Sequence, residues 1–331
     1  MNILITGATG FVGVALTRRL LSQGNHCRCL VRDRQKAESL FGRSSLIEFR
    51  VGDLNDSGSL ADISKNIDTV YHLAAAGSET IRSRGFEEHI FQTNVRGTEN
   101  LLRECLSQPV RKLIHFSSTS AMGPIETLLA DENTKCRPVT PYQRSKLEGE
   151  ELVLRYWREY QLPAVVLRPC PVYGPGGKGR LYDITRLVKR GFFPRLGNTQ
   201  VSIFMVDVRD VVNAALLALS KGRLGDIYII ASEQAYDLDL IHKLISEYLG
   251  LRRPSLHVPV ALVKAAAFLI EKAADVTRTR PLLRVKDIDA AVAQGSLSIE
   301  KAKNLLGFHP EVDLKSGLRD TLRWYRDSGL I

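Results

Sequence analysis

The first thirteen residues of the chain, MNILITGATGFVG, constrain its fold more than any other stretch. Residues 3–5 form an apolar run that predicts a buried strand, and apolar residues at every fourth position from Val12 predict a helix. Gly7 permits a sharp turn between them, Gly10 leaves room for a pyrophosphate, and Gly13 lets the helix pack closely on the strand. Because a helix N-terminus directs free N–H groups and a partial positive charge at phosphates, this segment predicts a nucleotide-binding site.

The charge of the chain indicates an anionic small ligand. Its 331 residues include 46 Lys and Arg against 36 Asp and Glu, a formal net charge of +10, in a composition typical of a globular protein. The basic residues are scattered, with no run longer than a pair and no aromatic interleaving. We therefore expect a phosphate-bearing small molecule as ligand and no nucleic acid.

Cysteine and histidine usage predicts neither a disulfide framework nor a metal site. The five cysteines contain no C-x-x-C and the seven histidines show no ligand spacing, so we expect a reducing compartment, the cytoplasm. The most lipophilic stretch, residues 259–270, is interrupted by Lys264 and is shorter than the ~20 residues that span a bilayer. We expect no stable membrane span, and we favour a helix packed on the core over one lying on a membrane surface.

Strand and helix patterns alternate through the first half of the chain. Strands are predicted at residues 3–5, 25–31, 46–51, 69–73, 112–116 and 164–167, and helices at 86–106 and 142–160. Thr140 and Pro141 form the start signal of the second helix. This order predicts an α/β fold, a Rossmann-type doubly wound parallel sheet with helices on both faces.

The regular alternation of strands and helices ends after Arg168, where a loop rich in glycine and proline begins. A further strand is predicted at residues 226–231, and amphipathic helices are predicted at 238–249, 260–274, 298–306 and 314–326. We predict a nucleotide-binding domain at residues 1–170, to which 207–231 returns. Residues 171–331 then form a smaller mixed, mostly helical substrate lobe over the carboxyl edge of the sheet.

The end of the second predicted strand bears on cofactor choice. An acidic residue there accepts a hydrogen bond from the ribose 2′-OH of NAD, whereas an arginine pairs with the 2′-phosphate of NADP. Arg32 follows the strand and Arg34 lies two residues on, and these arginines favour NADP(H) over NAD(H). Asp33 leaves an alternative, because a shift of the strand end by one residue would bring its carboxylate to the ribose. Asp53, after the third strand, is placed to reach the adenine edge.

Tyr142 and Lys146 form the second informative pattern. Residues four apart on a helix share a face, so the phenol and the ammonium can face one cleft. A phenol has a pKa of about 10, and a neighbouring ammonium favours the phenolate and lowers that pKa. The strand end at residues 117–119 supplies hydroxyl groups at the same sheet edge. A Tyr–Lys pair by itself indicates a solvated helix face, but this position in a nucleotide fold indicates proton transfer.

Ten segments together resemble the extended short-chain dehydrogenase/reductase family, within the NAD-dependent epimerase/dehydratase superfamily. They are TGATGFVG at residues 6–13, DL at 53–54, HLAA at 72–75, NVRGT at 94–98, SST at 117–119, YxxxK at 142–146, RPxxVYGP at 168–175, VDVRDV at 206–211, SIEKA at 298–302 and LGF at 306–308. The resemblance spans essentially the whole chain. It implies a nicotinamide cofactor and a small C-terminal substrate lobe. It also implies a homodimer whose contact is made by helices 86–106 and 142–160.

The resemblance also implies site residues. By position in the family's motif, Thr119 takes the Ser/Thr catalytic role beside Tyr142 and Lys146, with Ser118 as the alternative. The implied cofactor site consists of Gly7, Thr9, Gly10, Phe11, Val12, Gly13, Arg32, Asp53, Leu54, Leu73, Ala74, Ala75, Asn94, Ser117, Tyr142, Lys146, Pro169 and Val172.

The subfamily is indicated by two departures from sugar-nucleotide patterns. Pro171 stands where the family's epimerases typically have Asn, and Ser120 and Ala121 stand where its dehydratases have an acidic pair. The RPxxVYGP segment and the LVR strand end at residues 30–32 are more similar to reductases and to 3β-hydroxysteroid or dihydroflavonol-type dehydrogenases. Some nucleotide-sugar 4-reductases share the pattern, so lipid-like and sugar-nucleotide substrates both stay open.

Three functional hypotheses follow. The first is an NADP(H)-dependent oxidoreductase that interconverts a secondary alcohol and a ketone, with Tyr142 as general acid/base, Lys146 orienting the cofactor ribose and Thr119 holding the carbonyl oxygen. The second is a nucleotide-sugar 4-epimerase, dehydratase or 4-reductase with tightly bound NAD(P). The third is a non-catalytic NADP(H) sensor or assembly subunit.

Overall fold

A seven-stranded parallel sheet forms the centre of the protein. The computed structural model describes residues 1–77, 86–125, 127–191, 195–196, 201–251, 257–277, 281, 285 and 295–331. The strands are β1 (Asn2–Thr6), β2 (His26–Val31), β3 (Ile47–Val51), β4 (Thr69–His72), β5 (Lys112–Phe116), β6 (Ala164–Pro169) and β7 (Ile227–Ile230). Their spatial order is β7-β6-β5-β4-β1-β2-β3. The chain therefore winds outwards in both directions from β1, and the predicted doubly wound parallel sheet is confirmed.

Alternate residues of the central strands pack on opposite faces of the sheet. Ile3 and Ile5 belong to the core cluster on one face, whereas Leu4 belongs to the cluster on the other. Tyr71 and Val70 divide in the same way on β4. Because both faces are covered by helices, the strands read as apolar runs in the sequence.

Seven helices accompany the sheet in the part of the chain described up to residue 231. They are α1 (Phe11–Ser22), α2 (Arg34–Phe41), α3 (Phe86–Phe91), α4 (Gly97–Ser107), α5 (Pro141–Tyr160), α6 (Arg180–Lys189) and α7 (Val208–Lys221). The predicted start of α5 is confirmed by a capping box, in which the Thr140 hydroxyl accepts from Gln143 N and the Gln143 side chain accepts from Thr140 N. Pro141 follows at the first helical position.

The predicted continuous helix at residues 86–106 was wrong in one respect. A π-helical segment, Gln92–Arg96, divides it into α3 and α4. Within that segment the Asn94 side chain bonds both backbone groups of Ala76, and a Cβ on Gly149 of α5 would lie 2.5 Å from the Asn94 carbonyl oxygen. The wider π turn thus accommodates a close contact that a regular helical period, read from sequence, does not reveal.

The C-terminal part adds three helices to the described structure, α8 (Leu238–Leu249), α9 (Val260–Thr277) and α10 (Leu314–Asp327). The predicted helix at 298–306 is largely a π-helical segment, Ala302–Leu306. A third core cluster joins α6, α8 and α10. The buried Asp210 carboxylate accepts hydrogen bonds from Glu311 N and Val312 N and so fixes the segment before α10 against α7. The division into domains at residue 170 stays a prediction.

Short two-stranded pairs lie outside the central sheet in the described part of the chain, and the first of them joins the segment before α5 to the C-terminal part. They are Leu129–Ala130 with Ser296–Leu297, Val172–Tyr173 with Val206–Asp207, Arg195–Leu196 with His257–Val258, and Ser202–Ile203 with Tyr236–Asp237.

Helix α9 packs less completely than the sequence predicted. Val263 and Ala267 are buried, but Leu262 and Leu269 are 61% and 66% exposed. The expectation of a core-packed helix therefore holds for one narrow stripe of it. Among the described residues, no helix is both long and apolar enough to cross a bilayer.

Candidate active site

The turn between β1 and α1 has no room for side chains at two of its glycines. Gly7 has a φ of +76°, and a Cβ on it would lie 2.6 Å from Ala74 N. A Cβ on Gly13 would lie 2.1 Å from the carbonyl oxygen of Gly7. Gly10, the N-cap of α1, carries no side chain that could bond the first N–H groups of the helix. The turn is thus a backbone cradle of the kind that fits a pyrophosphate.

A cleft of about 340 Å³ opens beside this turn, at the carboxyl ends of β1 to β4. Nine of the predicted cofactor residues line it: Gly7, Thr9, Gly10, Arg32, Asp53, Leu54, Leu73, Ala74 and Ala75. The sequence reasoning missed others that line it, namely Thr6, Leu30, Val31, Lys36, Gly52, Ala76, His89 and Thr93. Dinucleotides bind at this edge in open α/β sheets.

Arg32 and Asp33 have separate roles at the end of β2. The strand ends at Val31, and Arg32 lines the cleft. The Asp33 carboxylate caps α2 by accepting a hydrogen bond of 2.9 Å from Lys36 N, and Asp33 is not part of the cleft wall. Lys36, on the first turn of α2, also lines the cleft. The Asp33 cap places Lys36 on the first turn of α2. Arg34, the other arginine that favoured NADP(H) in the sequence, is exposed, pairs with Glu38 at 3.0 Å and is not part of the cleft wall.

The remaining predicted cofactor residues lie outside the wall of this cleft, on neighbouring elements. Phe11 lies under the glycine-rich loop, where a Cβ on Gly177 would lie 2.6 Å from its ring. Val12 and Gly13 continue α1, Pro169 ends β6, and Val172 pairs with Val206. The buried Ser117 hydroxyl has no hydrogen-bond partner within the described part of the chain. Such an orphaned polar atom, next to the end of β5, fits a polar group of a bound ligand.

Lys146 carries a buried positive charge at the end of β5. It is 5% exposed, and its Nζ donates a hydrogen bond of 2.7 Å to the carbonyl oxygen of Phe116. Burial lowers its pKa from 10.5 to about 8, and the Glu150 carboxylate one turn later opposes part of that change. The side chain is therefore still an ammonium at neutral pH. Tyr142 lies one turn earlier on α5 and is half-buried.

The two hydroxyl candidates after β5 differ in their surroundings. Ser118 is the N-cap of a 3₁₀ turn at Thr119–Met122, and its hydroxyl oxygen accepts a hydrogen bond of 3.1 Å from Ser120 N. Thr119 is the first residue of that turn and is largely buried beside α5. The capping bond gives Ser118 a local structural role, which leaves Thr119 as the better candidate for a substrate oxygen.

An ion pair fixes α5 to the sheet. The Arg168 guanidinium on β6 donates to both carboxylate oxygens of Glu150, with an Nε to Oε2 distance of 2.8 Å, and both residues are fully buried. The carboxylate raises the pKa of the Arg168 guanidinium against the opposing effect of burial. Removal of one partner of such a pair costs about 3–5 kcal/mol, so the pair holds the helix that carries Tyr142 and Lys146 in one register.

A second attachment of α5 comes from the π-helical segment. Asn94 Nδ2 donates to Ser145 Oγ at 3.0 Å, and Ser145 Oγ donates to the carbonyl oxygen of Tyr142 at 2.9 Å. The same Asn94 amide bonds Ala76, which lines the cleft. Asn94 was predicted to contact a cofactor. In the structure it is bonded to Ala76 of the cleft wall but does not line the cleft itself.

The chain is similar to known proteins over most of its length. The sequence model of the NAD-dependent epimerase/dehydratase family matches residues 3–231. Sterol demethylase protein B of Methylococcus capsulatus is 29% identical over 100% of both chains, and a putative dihydroflavonol 4-reductase of Synechocystis is 29% identical over 99% of this chain and 95% of its own. The solved dTDP-glucose 4,6-dehydratase of Streptomyces venezuelae with NAD bound is 25% identical, with a TM-score of 0.79 over 99% and 97% of the two chains.

The buried ammonium of Lys146 predicts a pH dependence of stability in the ligand-free protein. Below pH 8 the folded and unfolded chains both hold the proton, so the cost of burying the charge is fully present. Between pH 8 and 10.5 only the unfolded chain holds it, so the stability that Lys146 contributes rises with pH. We expect the free energy of unfolding of the wild type, minus that of Lys146→Met, to rise by about 2–3 kcal/mol from pH 7 to pH 10 in urea titrations. A pH-independent difference would contradict this.

Proposed function

The chain belongs to the NAD-dependent epimerase/dehydratase family, whose members are enzymes of the extended short-chain dehydrogenase/reductase type, and we propose that it interconverts a secondary alcohol and a ketone with NADP(H). The observation that carries the proposal is the buried ammonium of Lys146, one turn after Tyr142 and hydrogen-bonded to the end of β5. A non-catalytic dinucleotide sensor would have no need of that pair.

The field of Lys146 supports the proton-transfer role of Tyr142. An ammonium acts more strongly on a neighbouring phenol in a buried site than in water, because little solvent screens it. Its nearest acid on the helix, Glu150, is engaged by Arg168. An ammonium placed one turn away stabilises a phenolate, and this supports the proposed role of Tyr142 in proton transfer.

The proposed reaction divides its work among three side chains. A bound nicotinamide supplies the hydride for ketone reduction and accepts it in alcohol oxidation. In the reductive direction Tyr142 donates a proton to the substrate oxygen, while the Thr119 hydroxyl donates a hydrogen bond to that oxygen and stabilises its developing charge. Lys146 holds the cofactor ribose and stabilises the negative charge that Tyr142 carries once it has donated its proton.

The preference for NADP(H) over NAD(H) is supported by charge at the cleft. Arg32 and Lys36 add two cations to the wall near the end of β2, and Asp33 is engaged as the cap of α2. Two cations suit the 2′-phosphate of NADP, and no carboxylate of residues 32–36 lines the cleft for a ribose 2′-OH. Phe11, Val12, Gly13, Asn94, Ser117, Pro169 and Val172 stay proposed cofactor residues on the family resemblance.

A nucleotide-sugar epimerase, dehydratase or 4-reductase is the second candidate. The similarity to a dTDP-glucose 4,6-dehydratase with NAD bound favours it. Against it stand Ser120 and Ala121 in place of an acidic pair, and Pro171, whose carbonyl accepts a hydrogen bond from Val206 N. A ring ketone of steroid or flavonoid type agrees better with the names of the two relatives that are 29% identical.

Assembly and location are further proposals. The homodimer remains a proposal that rests on the family resemblance. A groove of about 410 Å³ between α3, the π-helical segment and α5 lies where these helices would pair, and its lining is mostly polar and charged, with Phe91 and Val95 as its apolar residues. All five cysteines are free thiols, which supports a reducing compartment such as the cytoplasm.

Substitution of Tyr142 tests the proposed catalysis. Tyr142→Phe removes the proton donor without altering the cleft, so we expect kcat to fall by about 10²–10⁴ with dinucleotide affinity within twofold of wild type. NADPH consumption with a panel of 3-ketosteroids and dihydroflavonols, alongside fluorescence titration, measures both. Tyr160→Phe, at the exposed end of the same helix, is the matched control. Retained turnover in Tyr142→Phe would refute the role.

Substitution of the two cleft cations tests the cofactor preference. Arg32→Ala and Lys36→Ala each remove a charge-assisted hydrogen bond to a 2′-phosphate, so we expect the Kd of NADPH to rise about tenfold or more and that of NADH to stay within twofold. Arg34→Ala is the control, because Arg34 is exposed and pairs with Glu38 at 3.0 Å. Equal effects on both dinucleotides would contradict the preference.

A further inference from the structure

A buried histidine behind the cofactor cleft is unused by the proposed reaction. His72 ends β4, in register with Thr6 on β1 and His115 on β5, and is 1% exposed. Its Nδ1 lies 2.7 Å from Thr6 Oγ1 and its Nε2 lies 2.9 Å from Thr98 Oγ1. Both ring nitrogens thus have partners on two different elements.

The Thr98 hydroxyl fixes the direction of these bonds. It lies 2.8 Å from the carbonyl oxygen of Asn94, which can only accept, so the single hydroxyl proton of Thr98 points there. The Thr98 oxygen must then accept from His72, and His72 Nε2 carries the proton. A neutral imidazole has one N–H, so its Nδ1 accepts the hydroxyl proton of Thr6.

The chain of bonds continues into the wall of the cleft. Thr6 Oγ1 accepts a hydrogen bond of 3.3 Å from Ala74 N, and Ala74 lines the cleft. All bonds therefore run one way, from Ala74 N–H through Thr6, His72 and Thr98 to the Asn94 carbonyl. Bonds aligned in this way polarise and strengthen one another.

Asn94 closes the network from the other side. Its side chain bonds both backbone groups of Ala76, at 2.7 and 3.1 Å, and reaches Ser145 on the helix of Tyr142 and Lys146. The wall at residues 74–76 is held at one end by Thr6 and at the other by Asn94. His72 connects the two holds through Thr98.

We propose that His72 is a positioning residue: as the neutral Nε2–H tautomer it joins Thr6 and Thr98 into one directed chain that holds the cofactor-facing wall in register with the catalytic helix. The titratable groups that face it are His115, whose ring centroid lies 5.1 Å away, and Lys146. Burial first, and then the Lys146 charge, lower the pKa of His72 to about 3, so the ring stays neutral across the working range.

The tautomer can be observed directly. We expect ¹⁵N spectra of histidine-labelled protein to show His72 with a protonated Nε2 and a bare Nδ1, unchanged from pH 5.5 to 8.5, with assignment by loss of the signals in His72→Gln. An Nδ1–H tautomer, or titration of His72 in this range, would overturn the proposal. This measurement does not depend on any enzymatic activity.

The positioning role is tested with isosteric substitutions. Thr98→Val removes the link to His72, and we expect the Kd of NADPH to rise about tenfold, with recovery to within twofold of wild type in Thr98→Ser. Thr321→Val is the matched control, because buried Thr321 donates to the carbonyl four residues earlier, as Thr98 does, but lies on α10. All titrations are made well below the melting temperature of the least stable variant.

The outcomes separate this inference from the proposed function, on which its affinity readout rests. Equal affinities in Thr98→Val and wild type, or an equal loss in Thr321→Val, would show a merely structural role and overturn the inference. A wild type that binds neither NADPH nor NADH would refute the proposed function, and the tautomer would then decide the inference alone.

Discussion

The contact between the backbones of Gly7 and Ala74 is the constraint on which the site depends. A Cβ on Gly7 would lie 2.6 Å from Ala74 N, so the segments that follow β1 and β4 are in backbone contact at the edge of the sheet. Gly13 repeats the constraint, because α1 packs directly on the Gly7 carbonyl. With strand ends and helix this close, the uncapped N–H groups of α1 and the wall at residues 74–76 face the same cleft. Any side chain at these glycines would separate the elements that bind a pyrophosphate.

Close packing also fixes the position of the charge on which the proposed chemistry depends. The Lys146 ammonium is buried against the Phe116 carbonyl at the end of β5, and burial alone would favour its loss of the proton. Three attachments hold its helix rigid: this bond, the Glu150–Arg168 pair, and Asn94 through Ser145. A charge fixed in advance does not have to reorganise during a reaction, which is the source of most electrostatic stabilisation in enzymes.

The parts of the fold that local chemistry determines were predictable from sequence. The glycine turn, the cap of α5 at Thr140 and the seven strands follow from turn residues, capping residues and apolar periodicity. The π segment around Asn94 was not predicted, because it depends on a tertiary contact, the close approach of Gly149. Lys36 was missed although the Asp33 cap is local, because a cap shows where a helix begins and not which of its side chains line a cleft. The loops and the C-terminal part, which we propose to select the substrate, carry no sequence motif that indicates a mechanism. The fold alone does not specify their ligand.

The most direct test of the central claim is to identify the dinucleotide that the protein binds and to measure how tightly it binds it. The purified protein is denatured, any released dinucleotide is identified by mass spectrometry, and ligand-free protein is titrated with NADPH and NADH. We predict that the protein is largely free of dinucleotide after purification, as expected of an enzyme that exchanges its cofactor at each turnover. We also predict tighter binding of NADPH than of NADH, because Arg32 and Lys36 would meet the 2′-phosphate. Stoichiometric NAD that survives purification would contradict this account and favour an epimerase or dehydratase, in which the cofactor is regenerated within each cycle.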